Sequence, residues 1–200
     1  EAGEERNVPW SELQRRVAAL AATLRAQGVG RGDRVAAFMP NTPESVIAFL
    51  AVASLGAIWS VCSPDMGRVA VLDRFRQIAP KAMIAVDGYH YSGKAHDRRA
   101  LVGELLGELP SVQHLVLLPL LDPAAGTAGF ARATAWANAT AGNVPLEPEH
   151  VPFDHPLWIV YSSGTTGLPK PIVHSQGGVV IEHVKAINFH LDLGPGDRYH

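Results

Sequence analysis

A stretch rich in hydroxyl side chains and glycine, YSSGTTGLPKPIVHS, extends from Tyr161 to Ser175 directly after an apolar run. Glycines allow backbone N–H groups to approach an anion closely, and consecutive amides can form an anion-binding nest. Hydroxyl groups add donors, and a lysine adds a mobile positive charge suited to a polyphosphate. The donors assigned to this role are Ser162, Ser163, Gly164, Thr165, Thr166, Gly167 and Lys170. The pattern indicates a phosphate-binding loop, with a flexible connection as the alternative for such a turn taken alone.

This loop differs from the Walker-type phosphate loop. That pattern needs four residues between its glycines, followed by Lys and then Ser or Thr. Here only two residues separate Gly164 from Gly167, and Pro171 follows Lys170. Proline has neither a hydroxyl group nor a backbone N–H. The residue that holds magnesium in the Walker-type loop is therefore missing.

Alternating strand and helix patterns surround the loop. Short apolar runs predict strands at DRVAAFMP, AIWSV, KAMIAV, HLVLL, LWIVYSS and PIVHS. Helical spacing predicts helices between them, the first with Ser11 as N-cap and Gln14 completing a capping box. Strands that alternate with helices of this length imply βαβ units. We predict an α/β fold, with a doubly wound, largely parallel sheet covered by helices on both faces.

The bulk composition narrows the function classes. The 200 residues are 47% hydrophobic and carry a formal net charge of −2, which is enough for one well-filled core or two small ones. Charges of both signs are mixed without a basic run, so a nucleic-acid partner is not expected. The single cysteine, Cys62, excludes an internal disulfide framework and favours a reducing, cytoplasmic compartment. We interpret Cys62 as a small buried hydrophobe.

Two further segments need an interpretation. The uncharged stretch between Glu44 and Asp65 is only weakly hydrophobic and is divided by Gly56, so a helix and a strand are favoured over a membrane span. No charged-then-apolar leader is visible, and a signal peptide is not expected. The region 119–156 has poor periodicity, which predicts a surface excursion with a short helix around Trp136 and a possible subdomain break.

In this setting, the order of residues from Ser162 to Lys170 resembles the phosphate-binding signature of the adenylate-forming superfamily, which includes the acyl- and aryl-CoA synthetases. The signature usually continues with a small residue where this chain has Pro171. The resemblance implies that the loop grips the β- and γ-phosphates of ATP while a carboxylate attacks the α-phosphate. Pyrophosphate is then the leaving group, and a Lys-Ser/Thr pair is not required.

Three segments narrow the resemblance. CSPDMG, KPIVHSQGG and EHVKAINFHLDLGPGDR are most similar to the acetoacetyl-CoA synthetase family, although Met66 and Gln176 stand where Phe and His are expected. This resemblance implies that ATP, acetoacetate and CoA give acetoacetyl-CoA, AMP and pyrophosphate through an acetoacetyl-adenylate. Lys94 corresponds loosely to a basic residue that related acetyl-CoA synthetases direct toward the CoA phosphates. A solvated surface lysine is the alternative for Lys94.

The resemblance also implies that residues 1–200 are part of a large N-terminal AMP-binding domain. The adenine-binding motifs and a small C-terminal domain are then expected beyond His200, so the 200 residues alone should be inactive. Apolar faces left uncovered would favour self-association. Two other hypotheses stay open, a synthetase for acetate or propionate and a non-catalytic α/β fragment.

Other polar residues have alternative interpretations. No His, Cys, Asp or Glu cluster has metal-ligand spacing, so Mg²⁺ is expected to arrive with ATP. Asp65 is interpreted either as a ligand contact at a strand end or as a helix N-cap. For His174 and His183, partly buried histidines are favoured over proton shuttles. Trp59 and Trp158 are predicted to belong to the core.

Overall fold

The computed structural model describes residues 6–163 and 167–198. Its helices are α1 (Trp10–Ala26), α2 (Pro43–Ser54), α3 (Arg68–Ile78), α4 (Arg99–Glu108), α5 (Trp136–Ala139) and α6 (Gln176–Lys185), the last continued by a π-helical turn at Ala186–His190. Its strands are β1 (Arg34–Phe38), β2 (Ile58–Cys62), β3 (Ala82–Val86), β4 (Gly88–Tyr91), β5 (Lys94–Asp97), β6 (His114–Leu118), β7 (Ala133–Ala135), β8 (Pro156–Ser162) and β9 (Lys170–Ser175).

Seven of these strands form one sheet in the order β7-β6-β3-β1-β2-β8-β9. Every neighbouring pair is parallel except β8 and β9, which are antiparallel. Parallel strands require crossover connections. Helices lie in the connections from β1 to β2, from β2 to β3 and from β3 to β6, whereas the irregular segment 119–132 connects β6 to β7. The predicted α/β fold with a largely parallel sheet is confirmed.

The central strands are buried on both faces. In β1, Val35 and Ala37 face a core formed with α1, α2 and α5, whereas Ala36 and Phe38 face a core formed with α3 and α4. All four side chains are fully buried. This double burial explains why the run lacks the polar–apolar alternation of a half-exposed strand.

The sheet has a topological switch point between β1 and β3. The chain leaves β1 toward β2 on one side, and it leaves β3 toward β6 on the other. Connections that leave adjacent strands in opposite directions open a crevice at the carboxyl ends of those strands, where open α/β sheets bind ligands. A ligand site is therefore expected at the edge of the sheet that carries these carboxyl ends.

The uncharged stretch before Asp65 forms α2 and β2, as predicted. The two elements are separated by Gly56, whose φ of 61° lies in the left-handed region that favours glycine. Within residues 6–163 and 167–198, no helix is long and apolar enough to cross a bilayer.

The capping box predicted at Ser11 is wrong. Helix α1 begins at Trp10. Its N-cap is Pro9, two residues before the predicted cap, and Pro9 makes no side-chain capping bond. The carbonyl of Pro9 instead accepts the first helical hydrogen bond from the N–H of Leu13, at 2.9 Å. Pro9 has φ of −61° and ψ of 152°, which is an extended backbone conformation, and the helix therefore begins directly after Pro9 and before Ser11.

Two features were not predicted. Strands β4 and β5 form a separate antiparallel hairpin directly after β3, closed by Ser92 and Gly93 with φ of 48° and 70°. Positive φ at both central residues suits a two-residue hairpin turn. Within 119–156, the predicted helix at Trp136 is confirmed as α5, but β7 additionally extends the main sheet beside β6.

The buried carboxylate of Asp87 joins β3 to its surroundings. Its two oxygens accept three hydrogen bonds, at 2.7 to 2.9 Å, from the backbone N–H groups of residues 120–122. Its own N–H donates to the carbonyl of Leu118, and its carbonyl accepts from the N–H of Arg98. The end of β3, the end of β6 and the exit from the hairpin are thereby fixed to one another.

We predict that Asp87→Asn lowers the free energy of unfolding of the chain by about 2–3 kcal/mol, because an amide replaces a buried, charged acceptor that serves three backbone N–H groups. Urea unfolding followed by circular dichroism measures this change. Asp122→Asn is the matched control, since that exposed carboxylate accepts from the nearby N–H of Ala124 and its loss should cost less than about 0.5 kcal/mol. Equal losses in the two variants would contradict the anchoring role of Asp87.

Candidate phosphate-binding site

The hydroxyl-rich stretch connects β8 to β9 as the loop of an antiparallel hairpin. The last registered pair before the loop is Ser162 opposite Lys170. Because β8 is parallel to β2, the loop leaves the sheet at the edge that carries the carboxyl ends of the parallel strands. The predicted order of strand, loop and strand is confirmed. The direct pairing of the two strands with each other was not predicted.

The described donors of this loop are open to solvent. Ser162, Ser163, Gly167 and Lys170 are all exposed. Directly opposite residues in antiparallel strands have Cα atoms about 4.5–5.5 Å apart. The backbones of Ser162 and Lys170 are therefore close to each other at the base of the loop. Gly167 has a φ of 99°, a backbone conformation that glycine adopts without strain. The other predicted donors, Gly164, Thr165 and Thr166, lie outside the described residues.

Proline flanks Lys170 on both sides. Pro171 lies opposite Tyr161 within β9, and β9 is the terminal strand of the described sheet, where proline is tolerated. A residue that precedes proline is restricted to extended conformations, which fits the strand geometry of Lys170. The departure from the usual signature at position 171 therefore leaves the strand after the lysine intact.

Both stems of the loop contact α3. The hydroxyl of Tyr161 donates to the backbone carbonyl of Arg74 at 2.8 Å, and the guanidinium of Arg74 lies 5.7 Å from the centre of the tyrosine ring. Burial raises the pKa of Tyr161 to about 12, so the phenol remains a neutral donor near pH 7. On the other stem, the side-chain amide of Gln77 donates to the carbonyl of Pro169 at 2.9 Å.

A crevice of about 590 Å³ lies at the switch point of the sheet. Its walls include the segments 40–42 after β1, 63–65 after β2 and 89–91 on β4. Asp65 lies in this wall and is exposed. The N-cap of α3 is Gly67, so the N-cap interpretation of Asp65 is wrong.

The hairpin wall of the crevice is held by stacked side chains. The ring of Tyr89 stacks on His96 with centroids 5.0 Å apart, and the guanidinium of Arg98 lies 5.1 Å from the centre of the same tyrosine ring. Arg98 also donates to the carbonyl of Pro64 at 2.7 Å. These contacts attach the hairpin to the turn that follows β2.

Lys94 is the first residue of β5, opposite Tyr91 at the tip of the hairpin, and it is exposed. Three strand spacings, about 14 Å, separate β3, which leads into this hairpin, from β8, which leads into the loop. The structure thus puts Lys94 and Lys170 at the same edge of the sheet without bringing them together.

The two histidines lie away from the loop. His174 and His183 approach the ring of Trp158, with centroids 5.9 and 6.3 Å away, in a cavity of about 640 Å³ under α6. Both are exposed, so their predicted partial burial is wrong. Trp158 itself is partly buried and packs on the core beside Phe49.

Cys62 and Trp59 are buried, as predicted. Burial raises the pKa of the Cys62 thiol to about 11, while the nearby charge of Arg74 acts in the opposite direction. The thiolate is the reactive form of cysteine, and it is scarce at neutral pH when the pKa is so high. A nucleophilic role for Cys62 is therefore not supported.

The arrangement suits an anion better than a cation. The described part of the chain holds no group of three or more His, Cys, Asp or Glu side chains that could bind a metal ion. Within the described part of the loop, the assigned donors are two serine hydroxyl groups, the backbone of one glycine and the ammonium group of Lys170. Hydroxyl and ammonium donors match phosphate oxygens, which accept hydrogen bonds and carry negative charge.

Sequence reasoning missed Gln77 and Tyr89. The segment DGYHYSGK carries a signal for the hairpin, because tyrosines alternate with other residues before a Ser-Gly pair. Gln77 has no comparable signal, since its partner Pro169 is 92 positions away in the sequence.

Known proteins resemble the chain over nearly its whole length. The acetoacetyl-coenzyme A synthetase of Rhizobium meliloti (strain 1021) is 49% identical over 194 residues, which are 94% of this chain and 29% of that protein. The malonamoyl-CoA synthetase of Penicillium aethiopicum is 35% identical over 206 residues, covering 99% of this chain and 28% of that protein. The solved structure of acetoacetyl-CoA synthetase from Streptomyces lividans matches with a TM-score of 0.92 and 52% identity, over 98% of this chain and 30% of that one.

The chain thus spans about 30% of the length of these relatives. The family described as AMP-binding enzyme matches residues 2–200. Its match includes the β8–β9 hairpin with its loop and the crevice at the switch point. On this evidence, the chain belongs to the AMP-binding enzyme family.

Proposed function

We propose that the chain is part of the larger AMP-binding domain of an ATP-dependent acid–thiol ligase. In the proposed reaction, a carboxylate oxygen of acetoacetate attacks the α-phosphorus of ATP, and pyrophosphate leaves. The thiol of CoA then gives up its proton to solvent as its sulfur attacks the carbonyl carbon of the acetoacetyl-adenylate, and AMP leaves. Acetoacetyl-CoA, AMP and pyrophosphate are the products.

One observation carries this proposal. The loop that joins β8 to β9 starts from facing Ser162 and Lys170, at the sheet edge where the crevice also lies. A polyphosphate at the loop and a thiol ligand in the crevice would share that edge. Two half-reactions on one acyl group need two ligand sites close to each other.

The proposed role of Lys170 is electrostatic. Its ammonium group would compensate the negative charge that accumulates on the leaving pyrophosphate. The hydroxyl groups of Ser162 and Ser163, the backbone of Gly167 and the predicted donors Gly164, Thr165 and Thr166 would orient the β- and γ-phosphates. A positioned charge acts most strongly where charge develops in the transition state.

We place CoA in the crevice at the switch point as part of the same proposal. The exposed ring of Tyr91 on its wall offers a surface for a nucleotide base. The exposed Lys94 at the tip of the hairpin would attract the CoA phosphates. The alternative is that Lys94 is a solvated surface lysine that contacts no ligand. The kinetics of Lys94→Ala distinguish these two roles.

The names of the relatives support a particular class of acid. Acetoacetyl and malonamoyl groups both carry a second carbonyl on the third carbon. A site that pairs this carbonyl oxygen with a buried donor would disfavour an acid that lacks it. We therefore favour a 3-carbonyl acid, acetoacetate first, over acetate or propionate.

Magnesium enters the proposal as an ion bound to ATP. The loop supplies no carboxylate ligand among its described residues, so metal ligands beyond the phosphates would come from other parts of the protein. When bound, Mg²⁺ would neutralise phosphate charge. Lys170 and the hydroxyl groups would hold the phosphates from the protein side.

We predict that Lys170→Ala in the full-length protein slows acetoacetyl-adenylate formation by roughly 10²–10³-fold, because a donor that acts in the transition state is lost. Rapid-quench measurement of AMP or adenylate in a single turnover gives this rate. Lys185→Ala, which removes an exposed lysine of α6, is the matched control and should leave it unchanged. An unaltered rate in the Lys170 variant would remove the assigned role.

Lys94→Ala should have a different signature. We expect the KM for CoA to rise about threefold to tenfold while adenylate formation keeps its rate, because the charge of Lys94 would contact only the second substrate. Steady-state kinetics with varied CoA measures this. No change in that KM would favour the solvated lysine.

The full-length protein should discriminate between carboxylic acids. Pyrophosphate release by the full-length protein should be at least about 10²-fold faster, in kcat/KM, with acetoacetate than with acetate. Malonamate, which keeps the second carbonyl, should fall between them. Equal values for acetoacetate and acetate would move the assignment to a general short-chain ligase.

We also propose that the 200 residues alone self-associate and are inactive. Apolar side chains of β9 and α6 are exposed, among them Val173 at 55%, Val180 at 60% and Ile181 at 56%. Exposed contiguous apolar surface promotes association. Sedimentation velocity should therefore detect concentration-dependent oligomers, which the double variant Val180→Lys, Ile181→Lys reduces. A monomer at all concentrations would contradict this proposal.

A further inference from the structure

The loop stems extend beyond the support of the sheet. The structure registers backbone pairing of β8 with β2 at a single position, Trp158 opposite Trp59. One residue further, the hydroxyl of Ser60 donates to the carbonyl of Ile159 at 2.9 Å. On its other side, β9 has no strand neighbour among the described residues. Among the described residues, the distal end of the hairpin is therefore held by something other than neighbouring strands.

Helix α3 supplies this support. Tyr161 on the first stem donates to the carbonyl of Arg74, and the amide of Gln77 donates to the carbonyl of Pro169 on the second stem. Positions 74 and 77 are three residues apart and lie on one side of the helix. One face of α3 thus holds both ends of the loop.

Helix α3 is itself firmly packed. Four of its side chains are buried in the core that also contains α4, namely Val71, Leu72, Phe75 and Ile78. The guanidinium of Arg34 donates to the carbonyls of Ile78 and Ala79 at the end of the helix, at 2.7 and 3.0 Å. Because α3 is fixed along one face and at its C-terminal end, it can fix the positions of the two loop ends that it contacts.

The contact of Gln77 is close to the lysine of the loop. Pro169 directly precedes Lys170, so one planar peptide bond joins the held carbonyl to the backbone N–H of the lysine. Pro171 restricts Lys170 from the other side. Fixing the carbonyl of Pro169 therefore restrains the backbone of Lys170 opposite Ser162.

We propose that Gln77 is a positioning residue for the phosphate loop, which acts through Pro169 to keep Lys170 directed toward the phosphates. This inference rests on the proposed function, since it assumes that Lys170 binds phosphate. Gln77 also donates to the carbonyl of Asp73 at 2.6 Å within α3, so its amide is oriented by the helix before any ligand binds.

Three variants of the full-length protein test this proposal. Gln77→Met keeps the length of the side chain and removes the donor, whereas Gln77→Lys keeps a donor. Gln14→Met is the matched control, because Gln14 is an exposed glutamine in the interior of α1, far from the loop in sequence.

In a single turnover, Gln77→Met should form acetoacetyl-adenylate about threefold to tenfold more slowly, the range that one neutral hydrogen bond is worth. Gln77→Lys should recover most of this loss. The rate of acyl transfer from supplied acetoacetyl-adenylate to CoA should be the same in all variants. The midpoint of unfolding should also be unchanged. A merely structural role would slow both half-reactions and lower the midpoint.

Amide hydrogen exchange provides a readout that needs no substrate. Gln77→Met should raise exchange in the peptide 167–175 about threefold to tenfold relative to Gln14→Met. Faster exchange in a protein that forms no adenylate from acetoacetate would support the positioning role and overturn the proposed function instead. Unchanged exchange, or an unchanged adenylation rate in an active enzyme, would overturn the role of Gln77.

Discussion

Parallel pairing of β1 with β2 and β3 is the constraint on which the rest of the structure depends. Because these strands run in the same direction, every connection that leaves them toward a helix starts at one edge of the sheet. Burial on both faces fixes the register, since a shift by one residue would exchange the two cores. The crevice and the loop lie at one edge for this reason, although residues from 40 to 170 contribute to them.

The hairpin that carries the loop departs from this parallel arrangement. An antiparallel return brings Lys170 back beside Ser162 after a short loop, which a parallel connection could not do. Its cost is an outer strand with exposed apolar side chains, of which Ile172 and Val173 are examples. Near the loop, where β9 has no outer strand neighbour within the described part of the chain, α3 supports the hairpin through Tyr161 and Gln77.

Local signals predicted much of this structure. The apolar run before Met39 was sufficient to predict a buried strand, and the residues from Leu157 to Ser175 were sufficient to predict a strand, a loop and a second strand, because these elements depend on neighbouring residues. What could not be predicted depends on distant partners. The exposure of His183, the contact of Gln77 with Pro169 and the hydrogen bonds to Asp87 all require knowledge of which elements meet in space.

The proline after the loop lysine has a consequence for the outer edge of the sheet that the described residues form. Pro171 has no N–H to offer to an incoming strand, so a foreign chain that pairs along β9 cannot continue its ladder of hydrogen bonds through this residue. Any such pairing would be confined to the segment from Ile172 onward. The approach to Lys170 thus stays open to small anions even when the apolar part of the strand is covered.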